Sequence, residues 1–185
     1  MSLVFRRIPL VVAVFLLAGS ARAEVILTPF LGGVFGGSTD TSHTTYGGAA
    51  GFLAGGLFGF EAEFGYVKDY FGTGATSGAL QSNKLQSLSA NFIVAVPSGS
   101  FRPYGTAGLS LLRPELIGRT EFVDIKEDKG GYNLGGGIFL GLGNHAALRG
   151  DLRYFRTFGD LDAGAALNPG TLDYWRGVGG LTFRF

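Results

Sequence analysis

The stretch Trp175-Arg176-Gly177-Val178-Gly179-Gly180-Leu181-Thr182-Phe183-Arg184-Phe185 decides the fold. Its odd positions are apolar or glycine: Trp175, Gly177, Gly179, Leu181, Phe183 and Phe185. Its even positions carry Arg176, Thr182 and Arg184. A period of two with one apolar face is a strand signal. In a chain that opens on an export signal, it predicts a transmembrane barrel strand with lipid on one side and a polar lumen on the other.

The export signal is at the other end of the chain. Arg6 and Arg7 form a short basic region, residues 8–17 are apolar apart from Pro9, and Ala21-Arg22-Ala23 is a small-x-small cleavage site. This predicts a cleaved signal peptide over residues 1–23 and a mature barrel domain over residues 24–185. The apolar run is too short for a helix crossing ~30 Å of hydrocarbon, which needs about 20 residues. No Cys follows it, so no lipoprotein anchor is expected.

The whole-chain charge of +1 misleads. The leader takes away Arg6, Arg7 and Arg22 and no acid, so the mature chain carries 12 basic and 14 acidic groups. The basic balance is therefore no argument for nucleic acid, and none is expected as a partner. Zero Cys excludes disulfides and thiolate metal sites. The 33 Gly residues would suggest disorder, but 17 Phe and 7 Tyr argue against it. A narrow, strongly curved sheet uses glycine for kinks and for internal room.

Alternation and turn residues predict eight strands, over residues 25–36, 45–54, 57–70, 82–96, 101–112, 131–142, 146–156 and 173–185. Short turns (55–56, 97–100, 143–145) alternate with long loops (37–44, 71–81, 113–130, 157–172). The fold class expected is all-β: an eight-stranded antiparallel up-and-down transmembrane barrel, with turns and termini periplasmic and long loops outside.

The seventh strand sets its own register. Arg149, Asp151 and Arg153 share one face, and Leu148, Gly150, Leu152 and Tyr154 the other. Facing Arg to lipid near the midplane costs ~2–4 kcal/mol each, so the charges point inward. In the third strand Phe58, Phe60, Ala62, Phe64 and Tyr66 face lipid, with Glu61, Glu63 and Asp69 inward. The fourth places Leu88, Ala90, Phe92, Val94 and Val96 outward, and Ser87, Ser89 and Asn91 inward. The first, second, fifth and sixth strands are apolar on both faces or glycine-rich, and their registers stay open. Tyr66, Tyr154 and Trp175, with Tyr70 and Phe183, are expected to mark the two membrane interfaces.

Three stretches carry a family resemblance: Arg102-Pro103-Tyr104-Gly105-Thr106-Ala107-Gly108, Leu148-Arg149-Gly150-Asp151-Leu152-Arg153-Tyr154 and Gly179-Gly180-Leu181-Thr182-Phe183-Arg184-Phe185. With them the chain resembles small eight-stranded outer-membrane barrels of the OmpA/OmpX or opacity-protein type. The resemblance implies residence in the cell outer membrane, among its lipid and lipopolysaccharide. It also implies that Leu181, Phe183 and Phe185 form the C-terminal signal read by the barrel assembly machinery. The eighth strand ends the chain, so no periplasmic peptidoglycan-binding domain is expected.

The inward charges are Glu61, Glu63, Arg149, Asp151, Arg153, Arg176 and Arg184. An eight-stranded barrel is just wide enough for side chains to fill it, and buried charges must be paired. The leading expectation is an interlocked network that plugs the lumen, with the outer loops as a contact surface. The alternative is a narrow porin whose charge rings set ion preference. No catalytic, cofactor or metal site is expected. His43 and His145 fall on opposite sides of the membrane, and no nucleophile, base and orienting acid assemble. The loop over residues 113–130 has two readings: a charged loop, or a continuation of the fifth and sixth strands as a protruding sheet.

Overall fold

Alternation, not a helical period, governs the backbone. The computed structural model describes residues 23–39, 41–68, 80–118, 124–126, 128–160 and 171–185. The strands are β1 (Ala23–Phe35), β2 (His43–Ala54), β3 (Phe58–Lys68), β4 (Leu80–Ala95), β5 (Phe101–Gly118), β6 (Asp124–Lys126), β7 (Lys129–Gly141), β8 (Ala146–Asp160) and β9 (Thr171–Arg184). Neighbours pair antiparallel, and the β1–β9 and β4–β5 ladders close eight of the strands into a barrel. Of the expected leader over residues 1–23, Ala23 opens β1 and the rest lies outside the described residues, as do Asp69 and Tyr70.

Followed around the ring through Leu27, Ala50, Ala62, Ala90, Leu109, Tyr132, Arg156 and Asp173, the register returns to the first strand's chain at Gly37, ten residues further on. Such a stagger tilts the strands by about 40° and leaves an interior that side chains fill. The turn at Gly55-Gly56 has positive φ at both residues (59° and 68°). The connection has three residues, Gly55-Gly56-Leu57, between the paired Ala54 and Phe58, and glycine adopts the left-handed conformation without strain.

The registers left open by the sequence are now fixed. Odd residues face outward in β1 and β5, and even residues in β2 and β7. The outward face is apolar around the whole ring. Leu31, Leu109 and Leu134 are each at least 60% exposed. A continuous apolar belt of this kind far exceeds what a water-soluble surface carries.

The structure decides between the two readings of residues 113–130. β5 runs on to Gly118, flanked there by the start of β4 and by β6, so the sheet continues past the rim. Of the acidic residues of this region, Glu121 and Glu127 lie outside the described residues.

Inside, two apolar clusters cap the lumen. Val34, Val67, Leu85, Leu112, Phe155, Leu172 and Tyr174 pack toward the loop end. Ile26, Leu53, Ile93, Ala95, Tyr104, Phe139 and Ala147 pack toward the turn end. The polar residues lie between them.

Candidate functional site in the barrel lumen

The inward faces of β3, β8 and β9 deliver six charges to one level. Glu61 and Glu63 come from β3, Arg149, Asp151 and Arg153 from β8, and Arg176 from β9; all are at most 6% exposed. Three carboxylates meet three guanidinium groups, so the formal charge balances.

The contacts interlock. Arg149 grips Glu61 through both terminal nitrogens and reaches Asp151 Oδ2 at 3.2 Å. Arg153 donates from Nε to Asp151 Oδ1 (2.7 Å) and from Nη2 to Glu61 Oε1 (2.9 Å). Its Nη1 lies 3.2 Å from Glu63 Oε2, and Arg176 Nη2 lies 2.7 Å from Glu63 Oε1. The fork of each guanidinium suits such multiple contacts.

Neutral groups extend the network. Tyr104 donates its hydroxyl hydrogen to Asp151 and accepts from Arg149 Nε at 2.7 Å. Asn91 donates to Glu61 at 3.4 Å, and Asn133 donates to Asn91 Oδ1 at 2.8 Å and to Ser110 at 3.0 Å. The faces of the guanidinium groups lie on rings. Arg149 stands 5.0 Å from Tyr104 and 5.1 Å from Phe139, and Arg176 5.0 Å from Phe30 and 4.8 Å from Phe155. A cavity of about 10 Å³ remains, lined by Thr28, Phe30, Glu63, Arg149, Asp151, Val178 and Gly180. That is room for about one water molecule.

Inward glycines make this crowding possible, because side chains on a concave face converge. A Cβ on Gly137 would sit 2.1 Å from the Gly150 carbonyl oxygen and 2.5 Å from the Tyr104 hydroxyl. Gly105 faces outward with nothing within 4 Å. Gly137→Val should therefore lower the unfolding free energy by about 1–3 kcal/mol or more through overpacking, while Gly105→Val stays near neutral. Urea midpoints in lipid vesicles check this, and equal midpoints for the two variants would contradict the packing described.

Arg184 does not join the six. It lies at the turn-end rim, where its Nε is 3.4 Å from Glu24 and its Nη2 donates to the carbonyls of Gly143 and Ala146. Glu24 also pairs with Arg102 at 3.0 Å. The separation follows from the strand: Arg184 is eight positions beyond Arg176, nearly the height of the wall.

Leu181, Phe183 and Phe185 face outward at the turn end, and Val25 and Phe185 exchange backbone hydrogen bonds of 3.0–3.1 Å. Tyr66, Tyr154 and Trp175 lie toward the loop end, on one side only. Tyr66 packs tilted against Tyr46 with ring centroids 5.2 Å apart, and Tyr154 against Trp175 at 5.3 Å. The turn end carries Phe58, Phe92, Phe101 and Phe183 instead. His43 opens β2 and His145 sits in the turn before β8, at opposite ends of the barrel. At the loop end Arg113 holds Asp128 with two hydrogen bonds, one of 2.7 Å, and these hold the Asp128 carboxyl below the usual carboxylate range. The pairing is present at neutral pH and lost as pH falls through that lowered value. Both partners are more than half exposed, so little stability goes with it.

Tyr104, Asn133, Phe30 and Phe139 were not legible as network members. For Tyr104 a signal was present. Arg102, Tyr104, Thr106 and Ser110 alternate with Pro103, Gly105, Ala107 and Leu109, and only the intervening Gly108 breaks the polar face. For Asn133 none was, because Gly135, Gly136 and Gly137 erase the alternation.

The profile of the family described as "Outer membrane protein beta-barrel domain" matches residues 12–174. Among solved structures, Neisserial surface protein A is similar with a TM-score of 0.64 and 18% identity, over 88% of this chain and 97% of that one. The N-terminal β-barrel domain of Pseudomonas aeruginosa OprF gives 0.57 and 17%, over 90% and 100%. Ail, the attachment invasion locus protein of Yersinia pestis, solved with the heparin analogue sucrose octasulfate, gives 0.55 and 13%, over 88% and 98%. At these identities the likeness is one of fold. No curated protein matches the chain by sequence.

Proposed function

The chain belongs to the outer-membrane β-barrel family and resides in the outer membrane, and from that premise we propose that it is a sealed barrel with a structural and surface-contact role. One observation carries this reading: six balanced charges fill the lumen between two apolar caps. Ions crossing would have to part a desolvated network whose members hold one another. A catalytic role finds no support in this arrangement, since every buried charge is spent on another.

In this reading residues 1–23 are a signal peptide removed before assembly, and the short turns and both termini face the periplasm. Leu181 and Phe183 on β9, with Phe185 just past its end, face outward, where assembly machinery can read them. The long connections, which in barrels carry recognition, face out of the cell. Contact with extracellular material is compatible with the surface proteins of like fold.

Single-channel recording of the refolded mature chain in a planar bilayer tests the seal. A silent bilayer, with folding verified by gel mobility before and after boiling, is expected. Discrete, reproducible conductance steps would replace this reading with the narrow-porin one.

A further inference from the structure

The outward face keeps its charge at the loop end. On β8 and β9 the row Tyr154–Trp175 is followed by the row Arg156–Asp173, and β8 then presents Phe158. Arg156 is exposed, and among the described residues it forms neither an ion pair nor a hydrogen bond. Asp173, its partner across the ladder, is already engaged. Its Oδ1 accepts from Ser38 at 3.0 Å and its Oδ2 from the Tyr154 hydroxyl at 3.0 Å.

Rings surround this guanidinium. Tyr132 stands directly across the β7–β8 ladder, and Tyr154 and Phe158 lie two positions to either side on β8. Phe158 leans over Gly130, where a Cβ would come within 3.5 Å of its ring, and packs tilted against Tyr132 with centroids 5.9 Å apart. Phe158 is still 67% exposed, although it lies beyond the row of Tyr154 and Trp175 where the apolar belt ends. The face of an aromatic ring is its negative side, and a sugar ring presents polarised C–H groups to such a face. The planar fork of a guanidinium matches a phosphate. Below both, Leu134 and Leu152 continue the apolar wall. The surface therefore offers an open ring face, a cation and hydrocarbon contact side by side, and a phosphorylated glycolipid combines the three complements.

We propose that Arg156, framed by Tyr132, Tyr154 and Phe158, seats the phosphate of a phosphorylated glycolipid of the outer leaflet. Its sugar ring packs against Phe158 and its acyl chains run along Leu134 and Leu152. The guanidinium gains the anion that Asp173 does not supply, and Phe158 loses its exposure. The occupant comes from the membrane because the site opens sideways from the wall and is continuous with the lipid-facing belt. The inference rests on the outward orientation of the loop end proposed above.

Trp175 is the chain's single tryptophan and borders the site, so its fluorescence reports occupancy. The full barrel is refolded in vesicles of phosphatidylcholine with brominated acyl chains, which quench Trp175, and unbrominated bisphosphorylated lipid A is titrated in. Lipid A should displace the brominated lipid and restore emission. Loss of one basic group beside an anionic headgroup weakens binding about fivefold. Arg156→Gln should therefore need about fivefold more lipid A, whereas Lys68→Gln, at the same level on the far side of the barrel, should stay within about twofold. Phosphatidylglycerol, an anion without a sugar, should restore emission poorly. Wild-type behaviour of Arg156→Gln would overturn the phosphate seat. Equal restoration by phosphatidylglycerol would overturn the glycolipid as its occupant, and no restoration in the folded wild type would overturn the site. Binding in these vesicles does not depend on orientation, whereas thiol labelling of Thr41→Cys on intact cells does, so site and orientation fail separately.

Discussion

Glu61→Ala is expected to lower the unfolding free energy of the barrel by about 3–5 kcal/mol. Glu61 is the carboxylate that both Arg149 and Arg153 reach, and its side chain is fully buried. Removing it leaves two guanidinium groups against one carboxylate on β8, in an interior with room for about one water. An uncompensated buried charge is what makes breaking such a pair expensive, well beyond the net value of the intact pair. Urea unfolding in vesicles, read by tryptophan fluorescence and gel mobility, measures the loss. Should Glu61→Ala fail to fold, Glu61→Gln keeps the shape and the Asn91 contact while deleting the charge, and should fall between alanine and wild type. A midpoint for Glu61→Gln equal to wild type would mean that the cluster is not held by charge.

Leu152→Arg is expected to cost at least about 2–4 kcal/mol and to abolish most assembly. Leu152 faces outward, 46% exposed, between inward Asp151 and Arg153. In register it stands beside Gly136 and Gly177, so no neighbouring side chain can shield a guanidinium from lipid. The adjacent Asp151→Asn removes a carboxylate but keeps an acceptor for Arg153 and Tyr104. It should assemble better than Leu152→Arg. Equal assembly yields would contradict the register of β8.

The architecture was legible where one face was charged and the other apolar. β3, β4, β8 and β9 have that contrast: Glu61, Glu63, Ser87, Ser89, Asn91, Arg149, Asp151, Arg153 and Arg176 are inward, while Asp69 lies outside the described residues. The open registers failed for one physical reason. In a narrow barrel the lumen side must often be glycine so that a large neighbour fits, as Gly137 yields to Tyr104 and Gly47 to Phe30. Glycine is neutral in any apolar-polar pattern, so the residues that create the space hide the register. The grouping of the seven inward charges was also only partly legible. Alternation tells which side of the wall a charge takes, not its height, so Arg184 could not be set apart from Arg176. The one-sided placement of Tyr66, Tyr154 and Trp175 depends in the same way on the ten-residue stagger.

The lumen cluster also divides the wall into two mechanical classes. β3, β8 and β9 are joined through the barrel axis by ion pairs, and β4, β5 and β7 by the hydrogen bonds of Asn91, Tyr104 and Asn133. β1 meets the interior through the Thr28–Thr182 bond, the ring of Phe30 and, at the turn-end rim, Glu24 with Arg102 and Arg184, and β2 presents there Thr45, Gly47, Ala49, Gly51 and Leu53. Six staves are thus spoked to a hub, while the first hairpin is held mainly by the hoop of backbone bonds and by apolar contact. The hairpin carries none of the six network charges, so lifting it breaks its backbone ladders, its apolar contacts and the Glu24 pairs at the rim while leaving the hub whole.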